Sequence, residues 1–96
     1  MKRSEATVET LRNKGFTGIC DFSLEQCVAA IKRQDKFQMD NNGTYIRVRF
    51  IGEDGWATGD MMRRCTQEEA QDYIARRSEN SYQVRRTERP DWKQDD

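Results

Sequence analysis

Residues Lys36–Met62 read KFQMDNNGTYIRVRFIGEDGWATGDMM, and this stretch decides the fold class. Lys36 to Asp40 alternates, with Phe37 and Met39 on one side of an extended chain. Thr44 to Ile51 alternates again, and Trp56 to Met62 gives a third run. Two turn signals separate the runs. Asn41-Asn42-Gly43 tolerates positive φ, and Gly52-Glu53-Asp54-Gly55 combines glycines with short acids. A turn centred on Asn42-Gly43 sets Met39 opposite Ile46 and Phe37 opposite Val48. A second centre at Glu53-Asp54 sets Phe50 opposite Ala57, Val48 opposite Gly59 and Ile46 opposite Met61. Moving either centre by one residue changes the partners by two positions and leaves every side chain on its face. The two hairpins therefore agree on one apolar face of Phe37, Met39, Ile46, Val48, Phe50, Ala57 and Met61.

Helices are expected on both sides of this meander. Upstream, Ser4 reads as an N-cap for a helix over 5–14, with Val8 and Leu11 inward and Gly15 as its stop. Phe16 to Phe22 fits a short strand or a packed loop. Ser23 and Gln26 form a capping box, after which Leu24, Cys27, Val28 and Ile31 make one apolar stripe at helical spacing. Downstream, Thr66 and Glu69 form a second capping box. It opens a helix over 67–77 with a short stripe of Ala70, Tyr73 and Ile74. A last strand is expected over 81–87, with Tyr82 and Val84 inward. The predicted architecture is α+β: two N-terminal helices, a three-stranded antiparallel meander (36–40, 44–51, 56–62), a helix (67–77) and a final strand (81–87). One domain over 1–87 and a flexible polar tail over 88–96 complete it.

The chain holds 34% apolar and 35% charged residues, and its 17 basic and 17 acidic side chains cancel. The 15 Leu, Ile, Val and Phe residues make a thin core for 96 residues. A second copy of the chain, or another partner, is therefore expected to contribute stability. Met1 to Glu5 is followed by no apolar run, so no secretory leader is expected, and no segment is long and apolar enough for a membrane span. Three cysteines without C-x-x-C spacing fit a reducing, cytoplasmic setting.

There is no histidine. That removes the usual general base for a serine or cysteine nucleophile and the commonest nitrogen ligand for zinc. Cys20, Cys27 and Cys65 lack an evident fourth ligand, and Cys27 falls in a buried stripe, so no metal site and no cofactor are expected. Gly52, Gly55 and Gly59 lack the following Lys-Ser or Lys-Thr of a phosphate loop. Pro90-Asp91 before Trp92-Lys93 is a fragment of a nuclease pattern without a separated acidic strand residue, and it lies in the tail.

The outer face of the meander is the surface left for function. Alternation puts Tyr45, Arg47, Arg49, Ile51, Trp56, Thr58 and Asp60 there, with Lys36 and Gln38, and Arg85 if the last strand joins the sheet. Tyr, Trp and Arg together mark protein-binding hot spots. Arginines interleaved with aromatics also stack bases and hold phosphates. A third reading needs no partner, since Asp60 falls opposite Arg47 or Arg49 and a cross-strand ion pair explains both residues on a solvated or helix-covered face. Residues 1–87 carry a net charge of only about +2, a handicap for phosphate binding. The expectation is a small non-enzymatic protein-binding module that docks through Tyr45, Arg47, Arg49, Trp56 and Arg85. Such a module suits a phage or mobile-element accessory protein that modulates or inhibits a host complex. A nucleic-acid-binding accessory using the same face is the alternative.

Overall fold

The structure is a computed structural model that describes residues 1–79, 86–87 and 90–93. Among the described residues a five-stranded antiparallel sheet runs in the order β1-β4-β3-β2-β5: β1 (Thr17–Gly18), β2 (Lys36–Asn41), β3 (Tyr45–Ile51), β4 (Ala57–Arg64) and β5 (Arg86–Thr87). Among the described residues the α-helices are α1 (Val8–Asn13), α2 (Leu24–Arg33) and α3 (Gln67–Glu79). The α+β class and the central meander are as expected from sequence. The short edges β1 and β5 are added to it. No described helix is long and apolar enough to cross a membrane.

Local chemistry sets the helix ends. The first helix starts at Thr7 and not at Ser4, because Arg3–Glu5 forms a separate 3₁₀ turn. The Thr7 hydroxyl accepts from the Thr10 amide at 3.1 Å, and the Thr10 hydroxyl accepts from the Thr7 amide at 2.8 Å. A threonine here does the work usually given to Glu or Gln. At the other end Gly15 adopts φ +96°; its amide donates to Arg12 O, and the Phe16 amide donates to Leu11 O. This pair of bonds delivers Phe16 directly into the core. The Ser23–Gln26 and Thr66–Glu69 capping boxes both form as the sequence predicts.

Both hairpin registers differ from the expected ones by two residues. Met39 pairs with Val48, Phe37 with Phe50, Val48 with Met61 and Phe50 with Gly59. In the first turn, the Asn42 side-chain oxygen accepts from the Thr44 and Tyr45 amides at 2.9 and 2.7 Å. That keeps Asn42 as the last paired residue and moves the turn centre to Gly43-Thr44, with Gly43 at φ +89°. A shift of two preserves the faces, and Met39, Ile46, Val48, Phe50 and Met61 are all buried. Ala57 is the exception. An irregularity at Phe50/Ile51 leaves Thr58 as an extra residue on β4, so Ala57 pairs with Ile51 and is exposed.

α1 and α2 lie on the apolar face. Leu11, Leu24, Cys27, Ala30 and Ile31 join the strand residues in one buried cluster. Ala30 takes the place expected for Val28, which is only half-buried. α2 sits so close to β4 that a Cβ at Gly59 would lie 3.2 Å from the Cys27 Cα. Ile74 is 66% exposed, so the α3 stripe is reduced to Ala70 and Tyr73, the latter lying against Gly43.

The largest departure from expectation lies at residues 90–93, assigned from sequence to a loose tail. Trp92 is 5% exposed, with its ring 5.3 Å from Phe37 and 5.6 Å from Phe50. Asp91 is bonded through two oxygens to Arg63, at 2.9 and 3.1 Å. Arg63 also holds Glu69 by two 2.7 Å bonds and lies 5.5 Å over the Phe16 ring. A buried guanidinium needs this many partners. The Lys93 amide donates to Met1 O, tying the segment to the start of the chain. The last strand, expected over 81–87, pairs with β2 at Arg86–Thr87 (Asp40 with Arg86, Met39 with Thr87). Tyr82 and Val84 lie outside the described residues.

Candidate functional site

The sheet face opposite α1 and α2 carries Lys36, Gln38 and Asp40 from β2, Tyr45, Arg47, Arg49 and Ile51 from β3, and Asp60, Met62 and Arg64 from β4. Among the described residues no helix covers this face, because both N-terminal helices pack into the cluster on the other side. Lys36, Gln38, Asp40, Arg49 and Arg64 are exposed, and Arg47, Ile51 and Met62 are half-buried. Tyr45 is 37% exposed, beside Arg64 at one end of the face. Trp56 lies just outside β4, in the turn at the far end, and is 75% exposed. The Trp56 amide donates to Asp54 Oδ1 at 3.1 Å and its carbonyl accepts from Gly52 at 2.9 Å, so the turn carrying it is hydrogen-bonded.

Asp60 is the anchor of the face. It belongs to the outward set of β4 yet is 0% exposed. Arg47 Nε donates to Oδ1 at 3.1 Å and Nη2 to Oδ2 at 2.6 Å, while Arg49 Nε donates to Oδ2 at 3.3 Å. The two candidate registers read from sequence gave Asp60 one arginine or the other; the structure gives it both. The Asp60 carboxylate and its hydrogen bonds favour the charged form of Arg47, raising its pKa. Arg47 Nη2 also lies 3.5 Å from the Cys20 Sγ, and the Ile19 amide donates to the Asp60 main-chain carbonyl, so the loop after β1 lies beside the arginine–carboxylate cluster.

Of the residues expected at the site, Arg47 and Arg49 are brought together by Asp60. Tyr45 and Trp56 stand at opposite ends, and Arg85 lies outside the described residues. Met62, Arg64 and Cys20 were missed by sequence reasoning. The first two follow from continuing the alternation Asp60, Met62, Arg64 up to the Thr66 cap, but no local signal brings Cys20 to Arg47. The basic pair Arg63-Arg64 is split between faces, with Arg63 committed to the buried network.

Burial pushes the Cys27 thiol up to about 11, which makes it a protonated core side chain at neutral pH. Among the described residues no group of three or more His, Cys, Asp or Glu side chains is placed to hold a metal ion. Comparison with protein-family models, curated proteins and solved structures finds no match to this chain.

Proposed function

We propose that the chain is a small non-enzymatic protein-binding module that docks its partner on the helix-free sheet face. The observation that carries this reading is an arginine pair held by a buried carboxylate on an exposed sheet face, with the exposed aromatics Tyr45 and Trp56 beyond its two ends. Tyr, Trp and Arg are the residue types that dominate binding energy at protein interfaces. A guanidinium oriented by Asp60 also loses less conformational freedom on binding than a mobile one.

A specific feature favours a protein over a nucleic acid. Tyr45 and Ile51 are six residues apart on β3, about 20 Å, and Trp56 lies beyond Ile51. Aromatics that far apart do not form a stacking platform for successive bases. Asp40 and Asp60 also offset part of the charge that phosphates would meet. A highly charged domain with this surface suits an accessory protein of a phage or mobile element that modulates a host complex in the cytoplasm.

The test is capture from nuclease-treated and untreated lysate in parallel with the wild-type chain, Trp56→Ala and Arg49→Glu. Loss of the captured protein with both variants is expected. Capture unchanged by Trp56→Ala and Arg49→Glu refutes the reading, and capture abolished by nuclease points to nucleic acid in its place.

A further inference from the structure

The charges on the open face are unequal in their reach. Its cations are Lys36, Arg47, Arg49 and Arg64, and its carboxylates are Asp40 and Asp60. Asp60 is wholly buried and fully engaged, so Asp40 is the one carboxylate of this set at the surface. Arg47 spends Nε and Nη2 on Asp60, whereas Arg49 spends only Nε. Both terminal nitrogens of Arg49 therefore keep their N–H donors without an acceptor among the described residues, on an exposed side chain. Lys36 and Arg64 are exposed, and neither has an ion pair among the described residues.

We infer that the partner docked on this face presents an acidic surface, with a carboxylate received by the two terminal nitrogens of Arg49. Lys36 on β2 lies diagonally next to Arg49, and Arg64 adds a cation beside Tyr45 at one end of the face. This rests on the protein-binding reading and names the partner's chemistry. A guanidinium offers two parallel N–H groups that match the two oxygens of a carboxylate. The bond from Nε to Asp60 sets the plane of that fork before the partner arrives, so binding does not have to order it. Like charges repel across an interface, so a surplus of exposed cations selects an acidic partner and disfavours a basic one. The fork alone would also accept a phosphate. The separated aromatics, which offer no stacking platform for successive bases, decide for carboxylates on a protein.

The experiment is a titration of isotope-labelled full chain, followed by NMR at low salt, with three probes: decaglutamate, decaglutamine and a ten-nucleotide oligothymidine. Decaglutamate is expected to shift the Arg49 side-chain Nε–H and backbone amides of residues 36–40, 45–51 and 60–64. Arg49→Gln is expected to weaken this response about tenfold, in keeping with loss of a close charge pair. Equal shifts from decaglutamine, or tighter binding of oligothymidine than of decaglutamate, overturn the inference. So do decaglutamate shifts confined to α1 and α2. The lysate capture separates the two ideas: Trp56-dependent capture with no response to decaglutamate rejects the acidic partner and leaves the docking face standing.

Discussion

Replacing Trp92 by alanine tests whether residues 90–93 belong to the core. The ring is 5% exposed and packed between Phe37 and Phe50. A buried tryptophan removes about 150–250 Å² from water, worth about 4–6 kcal/mol at 25 cal/mol per Å². Residual burial in the denatured chain lowers this to about 3–5 kcal/mol, the range typical of aromatic truncations in cores. A domain of this size has roughly 5–14 kcal/mol in total, so Trp92→Ala removes a large fraction of its stability. Urea unfolding followed by far-ultraviolet circular dichroism measures the loss without relying on the indole. Trp56→Ala is the matched control, because a side chain 75% exposed has little burial to lose and costs less than about 0.5 kcal/mol. A Trp92→Ala loss below about 1 kcal/mol, or one equal to that of Trp56→Ala, would show that the tail reading from sequence was right and the packing argument wrong.

Glu69 provides a pH dependence. The hydrogen bonds and charge of Arg63 lower its pKa from the ordinary 4.5 to about 2. A depressed carboxylate contributes stability that is present above the unfolded-state value and lost as pH falls through the folded one. Stability is therefore expected to drop between pH 4.5 and 2, and Glu69→Gln should flatten that part of a pH series of urea midpoints. Gly59→Ala places a methyl 3.2 Å from the Cα and Sγ of Cys27 and from Phe50, so α2 and Phe50 must give by a few tenths of an ångström, with an expected cost of about 1–3 kcal/mol by thermal melting. Asp60→Asn removes the charge that orients both arginines, with an expected loss of about 1.5–3 kcal/mol. Narrowed dispersion of the Arg47 and Arg49 Nε–H resonances should accompany it; unchanged resonances would contradict the anchoring role.

Much of the candidate site was legible because strand faces depend on a period of two, which local sequence carries. Tyr45, Arg47, Arg49 and Asp60 could be placed on one surface without knowing which residues pair. The capping boxes at Ser23–Gln26 and Thr66–Glu69 were legible for the same reason, since donor and acceptor lie three residues apart. Whether α1 and α2 covered that surface was not legible, because an amphipathic helix states only that one of its sides is buried.

The sequence by itself determined the α+β class, the order of the main elements and the inward residues Met39, Ile46, Val48, Phe50 and Met61, all properties of segments shorter than a dozen residues, though not the outward turn of Ala57. The strand faces left the registers open, since a slip of two residues leaves every face unchanged. The local bonds of the Asn42 side chain accompany the first register, and the second carries the irregularity at Phe50/Ile51 that only the paired strands display. Only the tertiary structure decided the fate of Arg63 and Trp92. The Arg63–Asp91 pair spans 28 residues, and nothing near either residue marks it: in sequence Arg63 is one of several surface-like arginines, and Trp92 an aromatic in a polar stretch. Burial of such groups depends on partners assembled from distant segments, and those partners exist only once the chain has folded.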